Sequence, residues 1–156
     1  MLYQTDKDLL PVIQHYGCAF MCAAFAREKY QNEPWTAQAL NSIWNIAVEN
    51  KIITGDLNND GDVDDGGEAE IQDWQKLANL MGCHLRYIPG HFPIDSPLAK
   101  NAFSICAWYN PNTKFTHFVV GTSKPVEYDP IRGGSKTVRE GYPKIKDGLR
   151  IFQILA

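Results

Sequence analysis

The chain has no uninterrupted apolar run longer than nine residues, the stretch CAFMCAAFA from Cys18 to Ala26. That is far short of the roughly 20 residues a bilayer-spanning helix needs, so no membrane role is expected. An excess of positive charge is also missing. Fifteen Lys and Arg stand against eighteen Asp and Glu, a net charge of −3, which leaves no basic footprint for nucleic acid. There is no basic, apolar leader at the start, where MLYQTDKDLLPV places acids instead, and a cytoplasmic site of synthesis is the expectation. Release by lysis or by a dedicated exporter would leave no trace in such a sequence. Cysteine is scarce: Cys18, Cys22, Cys83 and Cys106 permit two disulfides, but 156 residues can bury a core without them, and reduced thiols are expected. Repeats, low-complexity tracts and Pro/Gly/Ser linkers are absent, so residues 1–156 read as one domain.

What is present falls into two halves. Gly17 punctuates a turn, after which Cys18 to about Gln31 reads as a helix apolar nearly all round and therefore central. A second helix follows Pro34, with Thr36 as N-cap, and runs to about Asn50 with Leu40, Ile43, Trp44 and Val48 on one face. A third spans Glu68 to Met81, with Ile71, Trp74, Leu77, Leu80 and Met81 aligned. After Gly82 the pattern changes to short β-branched and aromatic runs: CHLRYIP, FSICAWYN, THFVVGTS, VEYDP and LRIFQIL. Asn110 to Lys114 reads as a hairpin loop and Thr122 to Pro125 as a tight turn. Helices first and strands after predict an α+β fold, with N-terminal helices packed on a mostly antiparallel sheet.

Cys18 is the residue of chemical interest. A cysteine at the start of an apolar helix is either a core residue or a thiol activated by the helix N-terminus, and the segment itself does not decide. Cys22 lies one turn further in, where burial raises a thiol's pKa; Cys83 and Cys106 read as core. His15, His84, His91 and His117 are the available imidazoles. His117 opens a strand, and Asp129 returns twelve residues later across the Thr122–Pro125 turn, where its carboxylate could orient the imidazole. Each residue alone has an ordinary structural explanation; the order of the three together suggests a catalytic triad. No close spacing of His and Cys suggests zinc.

The pattern Gln14…Cys18, then His117-Phe118-Val119-Val120-Gly121, then Tyr128-Asp129-Pro130 resembles the papain-like fold, and within it the bacterial double-glycine leader-processing peptidases and their single-domain relatives. The resemblance spans about Gln14 to Pro130 and implies a bacterial or phage cysteine peptidase or amidase acting on a peptide or protein. It assigns Cys18 as nucleophile, His117 as general base, Asp129 as orienting group and Gln14 as oxyanion donor. Two departures stand out. Ala19 replaces the glycine usual after the cysteine, and Gln14 is closer to Cys18 than the family's glutamine, so His15 or the Cys18 N–H could share its task. The alternative is an inactive papain-like domain binding a peptide in a groove lined by Trp35, Trp108, Tyr109 and Tyr128. A basic, glycine-bearing segment from Ile131 to Gly148 reads as a solvated loop or a flap over the cleft.

A second motif is acidic. Asp56 to Glu70 holds seven of the eighteen carboxylates. Asp56, Asn58, Asp60, Asp62 and Asp64 fall at alternate positions around Gly61, with Val63 apolar. This is similar to the calcium loop of EF-hands, and its opening to the dockerin version: alternating oxygens wrap a hard cation and the glycine permits the sharp turn. Position seven, Asp62, supplies a backbone carbonyl. Gly67 stands where the family has its bidentate acid, and Glu68 is expected to take that role in a loop longer by one. A single calcium ion inside a helix–loop–helix at about residues 36–81 is the expectation.

Overall fold

The computed structural model describes residues 1–55 and 69–155. The expected calcium ligands Asp56, Asn58, Asp60, Asp62, Asp64 and Glu68 lie outside the described residues.

Five helices and five strands are described, in an α+β order. Helices α1 (Pro11–Tyr16), α2 (Cys18–Gln31), α3 (Ala37–Glu49) and α4 (Trp74–Met81) come first. Strands β1 (Leu85–Phe92), β2 (Ala102–Asn110) and β3 (Phe115–Val119) follow, then α5 (Lys136–Glu140), β4 (Tyr142–Pro143) and β5 (Leu149–Ile154). The sheet runs β1-β5-β2-β3, with β4 also on β2, and every pair is antiparallel.

Helix α2 starts and ends where its sequence predicts, and Phe20, Met21, Cys22, Ala23, Ala24 and Ala26 are buried along it. It sits between the sheet and α3, with Phe20 edge-on to Trp44 at 5.1 Å. For α3 the Thr36 hydroxyl accepts from the Ala39 N–H at 3.1 Å, the N-cap bond expected there. Helix α4 begins six residues later than expected. Ile71 forms an antiparallel bridge with Ile53, and Asp73 caps the helix by accepting from the Lys76 N–H at 2.9 Å. A side-chain cap beats continued apolar periodicity in deciding where a helix starts. Consequently α3 and α4 do not abut residues 56–68 as in a simple helix–loop–helix. The segments between are tied instead, Thr54 N–H to Glu70 O and Ala69 N–H to Thr54 O, both 2.9 Å.

Helix α1 was not anticipated from the sequence, although Pro11 at its first position is a favourable start. It is separated from α2 by Gly17, where the chain kinks. A Cβ on Gly17 would lie 2.6 Å from the Ile13 carbonyl oxygen, so only glycine lets the two helices meet this closely. The expected strand VEYDP is reduced to one bridge, Val120 to Tyr128. Gly121, at φ +115°, turns the chain out of β3, and its neighbour Glu127 N would lie 3.0 Å from a Cβ there. Asn110 to Lys114 does join β2 to β3, with the Lys114 N–H on Asn110 O at 2.7 Å.

The sheet buries both faces. Phe103, Ile105 and Phe152 pack with α2, α3 and α4 in the main core. Cys106, Trp108, Val119, Leu149 and Ile151 form a second cluster under Val138 of α5. The segment from Ile131 to Gly148 is therefore part of the fold and not a flap: it contains α5 and β4, with Ser135, Thr137 and Val138 buried. The aromatic groove is corrected likewise. Trp35, Trp108 and Tyr128 are buried, and each satisfies its polar tip on a carbonyl: Ala24 at 2.8 Å, Gly121 at 3.2 Å and Leu2 at 2.8 Å. Large aromatic side chains gain more from the core than from solvent, provided their polar atoms find partners. Among the described residues no helix is long and apolar enough to cross a membrane.

Candidate active site

Helix α2 lies along the outer edge of β3 and presents two thiols to the same residue of that strand. Cys22 Sγ donates to the Phe118 carbonyl at 3.3 Å. One turn earlier, Cys18 lies near enough for the Phe118 N–H to help lower its thiol pKa. Cys22 thus occupies an edge carbonyl of β3 that a further strand would otherwise pair. This places the Cys18 sulfur beside His117, which precedes Phe118 and pairs in register with Trp108 of β2.

His117 is 8 % exposed, and its Nε2 lies 2.7 Å from Asp129 Oδ1. That leaves Nδ1 as the nitrogen to face the Cys18 thiol. Asp129 is itself held from three sides. Besides His117, its Oδ1 accepts from the Ile131 N–H at 3.0 Å and its Oδ2 from the Ser135 N–H at 2.8 Å. Ser135 is also the N-cap of α5, its hydroxyl accepting from the Val138 N–H at 3.2 Å. The preceding residue, Tyr128, is stacked between Phe25 of α2, at 4.7 Å between ring centroids, and Tyr3 at 6.0 Å. The carboxylate is thus fixed relative to both the helix and the strand. Ser135 and Tyr3 escaped the sequence reading; the Asp-Pro pair followed by Gly133-Gly134-Ser135, a turn leading into a capped helix, was the available signal.

The electrostatics separate the four thiols. Burial pushes the Cys18 thiol up, but the hydrogen bond and charge of His117, joined by the N–H groups of Phe118 and Ala19, outweigh it and hold it below the ordinary thiol value. Cys22, in the same helix, goes the other way. Burial raises it well above the ordinary value, and the neighbouring negative groups Cys18 and Asp129 add to the shift. Burial also pushes Cys83 and Cys106 up to about 12. All four are free thiols. Burial lowers the His117 pKa, but the bonds to Asp129 and Cys18 more than offset it and hold the ring up to about 9. Burial raises Asp129, but the bonds from His117, Ser135 and Ile131 keep it below the usual carboxylate value.

These shifts couple to stability with opposite signs. His117, raised from 6.5 to about 9, stabilises the fold fully below 6.5 and loses that contribution as pH rises through 9. Cys18, lowered, stabilises above its unfolded value, and this contribution is lost as pH falls through its folded one. The two contributions oppose each other as pH rises. Unfolding free energy, followed by urea denaturation, should therefore fall more steeply between pH 6.5 and about 9 in Cys18→Ala, where only the imidazolium proton remains, than in the native protein. A flat Cys18→Ala profile would show that His117 is not charged.

The remaining expected residues do not converge. Gln14, in α1, turns its side-chain amide back onto the Leu9 carbonyl at 2.7 Å, and no hydrogen bond ties it to Cys18 among the described residues. His15 is exposed beside Tyr16, and His84 and His91 are exposed on or near β1. Among the described residues, the first turn of α2 supplies N–H groups at Cys18, Ala19 and Phe20 that a helix leaves without intrahelical acceptors. No group of three or more His, Cys, Asp or Glu among the described residues is placed to hold a metal ion. No protein-family model matches the chain, and no curated protein or solved structure is found to be similar to it.

Proposed function

We propose that the chain is a papain-like cysteine peptidase or related amidase with Cys18, His117 and Asp129 as its triad. The observation that carries this reading is the alignment of the three: a low-pKa thiol at the start of a 14-residue helix, against an imidazole whose Nε2 is 2.7 Å from a buried carboxylate. Buried core cysteines, such as Cys22, Cys83 and Cys106, have raised pKa values. A structural role for Cys18 would give no reason for the opposite shift.

In this reading the Cys18 thiolate attacks the amide carbonyl and forms a C–S bond. The carbonyl electron pair moves to oxygen, where the Cys18 N–H at the start of α2 can meet it. As the tetrahedral intermediate collapses, the C–N bond breaks and the His117 imidazolium gives its Nδ1 proton to the leaving amine. Water, deprotonated by the now neutral His117, then attacks the thioester, releasing the acid and restoring the thiolate–imidazolium pair. Asp129 keeps the ring oriented throughout and stays ionised. Host proteins, leader peptides and the peptide links of bacterial cell wall are all compatible substrate classes.

The test is acyl transfer to the named sulfur. Exposure to p-nitrophenyl acetate should give a burst of nitrophenolate, a transient acetyl group located on Cys18 by mass spectrometry, and continued turnover. Cys18→Ala should show none of these. Label on another residue, or none, would end the hydrolase reading.

Calcium belongs to the same proposal. Asp56, Asn58, Asp60, Asp64 and Glu68, with the Asp62 carbonyl, are donors of the hard-oxygen type that suits this ion. The paired chain ends at Thr54 and Glu70 would bring both ends of such a loop together. Adding calcium to chelator-treated protein at a hundred times its dissociation constant should stabilise the fold by about 2.7 kcal/mol, raising Tm by roughly 5–11 °C. A melting curve that ignores both calcium and chelator would sink the assignment.

A further inference from the structure

The ten residues before α1 form a strap across the site. The Gln4 N–H donates to the Pro130 carbonyl at 2.7 Å, next to Asp129, and Arg132 pairs with Asp6 at 2.6 Å. Most polar side chains of the strap face solvent, but Gln4 turns inward and is only 4 % exposed. Its Nε2 donates to the Gln14 carbonyl at 3.0 Å. Its Oε1 is buried with no partner among the described residues. An unsatisfied buried acceptor costs about 1–3 kcal/mol, so packing alone would favour Leu or Met at this position.

The reason for an amide here lies where α1 meets α2. In an uninterrupted helix the Gln14 carbonyl would accept from the N–H four residues on, that of Cys18. The ladder holds up to Gly17 N–H on Ile13 O at 2.8 Å and resumes at Met21 N–H on Gly17 O at 2.9 Å. The three bonds between, from the Cys18, Ala19 and Phe20 N–H groups, are missing where the chain kinks at Gly17. Gln14 O is taken by the Gln4 side chain instead, and the Cys18 N–H has no acceptor among the described residues.

We propose that Gln4 is a positioning residue: by occupying the Gln14 carbonyl it keeps the Cys18 N–H free to bind the oxyanion formed when Cys18 attacks a carbonyl. The inference rests on the hydrolase reading and adds to it the device that supplies the donor Gln14 does not provide. Gln4 touches no reacting atom and acts through the Gln14 carbonyl. Without the Gln4 amide, that carbonyl is unsatisfied and competes for the Cys18 N–H.

The experiment compares two reactions of the same sulfur in the full chain carrying Gln4→Met, which keeps side-chain volume and removes the donor. Alkylation by iodoacetamide passes through no oxyanion; acylation by p-nitrophenyl acetate does. Removing an oxyanion donor costs on the order of 100–1,000-fold, and a donor that is only diverted should cost less, about 10–100-fold. Acylation should fall by that factor, while the alkylation rate and its pH profile stay within twofold. A parallel fall in both would make Gln4 a structural support of the thiolate, and no fall in either would remove its role; both overturn the proposal. If Gln4→Met does not fold, the native protein decides by amide hydrogen exchange. The Cys18 N–H should exchange far faster than the bonded Met21 N–H, and equal protection overturns the proposal. A native protein that reacts with neither reagent, yet shows the unprotected Cys18 amide, would defeat the hydrolase reading and leave only the hydrogen-bond pattern standing.

Discussion

Iodoacetamide should alkylate Cys18 on a reactive plateau that extends to lower pH than an ordinary thiol's, and His117→Ala should abolish that extension. An ordinary thiol, with pKa about 8.5, is only about 0.3 % thiolate at pH 6 and loses reactivity tenfold for each pH unit below its pKa. The native Cys18 is held below the ordinary value chiefly by the hydrogen bond and charge of His117, against burial. Removing the imidazole leaves burial, which acts in the opposite direction. Below the ordinary thiol pKa the native protein should therefore react faster than His117→Ala, even though a low-pKa thiolate is intrinsically the weaker nucleophile. The upper end of the plateau reports the other partner: as His117 deprotonates near pH 9, the sulfur loses its neighbouring positive charge. The measurement is site-resolved by mass spectrometry, with Cys22, Cys83 and Cys106 as internal controls. Matching steep profiles in the native and His117→Ala proteins would mean there is no ion pair.

Asp129→Ala should be the most destabilising single change at the site. It strands the buried His117 ring and removes the acceptor shared by the Ile131 and Ser135 N–H groups. Breaking a buried pair on one side costs about 3–5 kcal/mol, which for a chain of this size lowers Tm by roughly 6–20 °C. The deficit should depend on pH. Without Asp129 only the Cys18 contacts oppose burial at His117, so its folded pKa falls and protonating the ring stabilises the fold less; the loss should deepen as pH falls from 8 to 5. The native protein keeps the Asp129 contribution until pH falls through the carboxylate's own lowered value. Asp129→Asn retains an oxygen for the two N–H groups and should lose less stability while losing the same thiolate plateau. Calorimetry at pH 5 and pH 8 checks both points. Equal stability of all three proteins would mean the carboxylate is not buried against the ring.

Local chemistry wrote much of this into the sequence. The kink at Gly17, the start of α2 at Cys18, the Thr36 cap and the β-branched and aromatic strands β2 and β5 follow from backbone freedom, orphan N–H groups and strand propensity, which act over a few residues. Cys18 was legible because it opens α2, whereas His117, read as opening a strand, stands in the middle of β3. Element boundaries set by long-range pairing were not legible. The bridge to Ile53 keeps Ile71 out of the expected helix, and VEYDP failed to become a strand because β3 turns away at Gly121. Tertiary structure alone decided which histidine faces the thiol, since Cys18 and His117 meet across about a hundred residues of chain. It also decided that Gln4 enters the core and that the Tyr128 hydroxyl reaches the Leu2 carbonyl. The physical reason is common to all of these. A buried polar group must find a partner, and which partner comes within 3 Å is a property of how distant segments pack, which no local pattern of residues encodes.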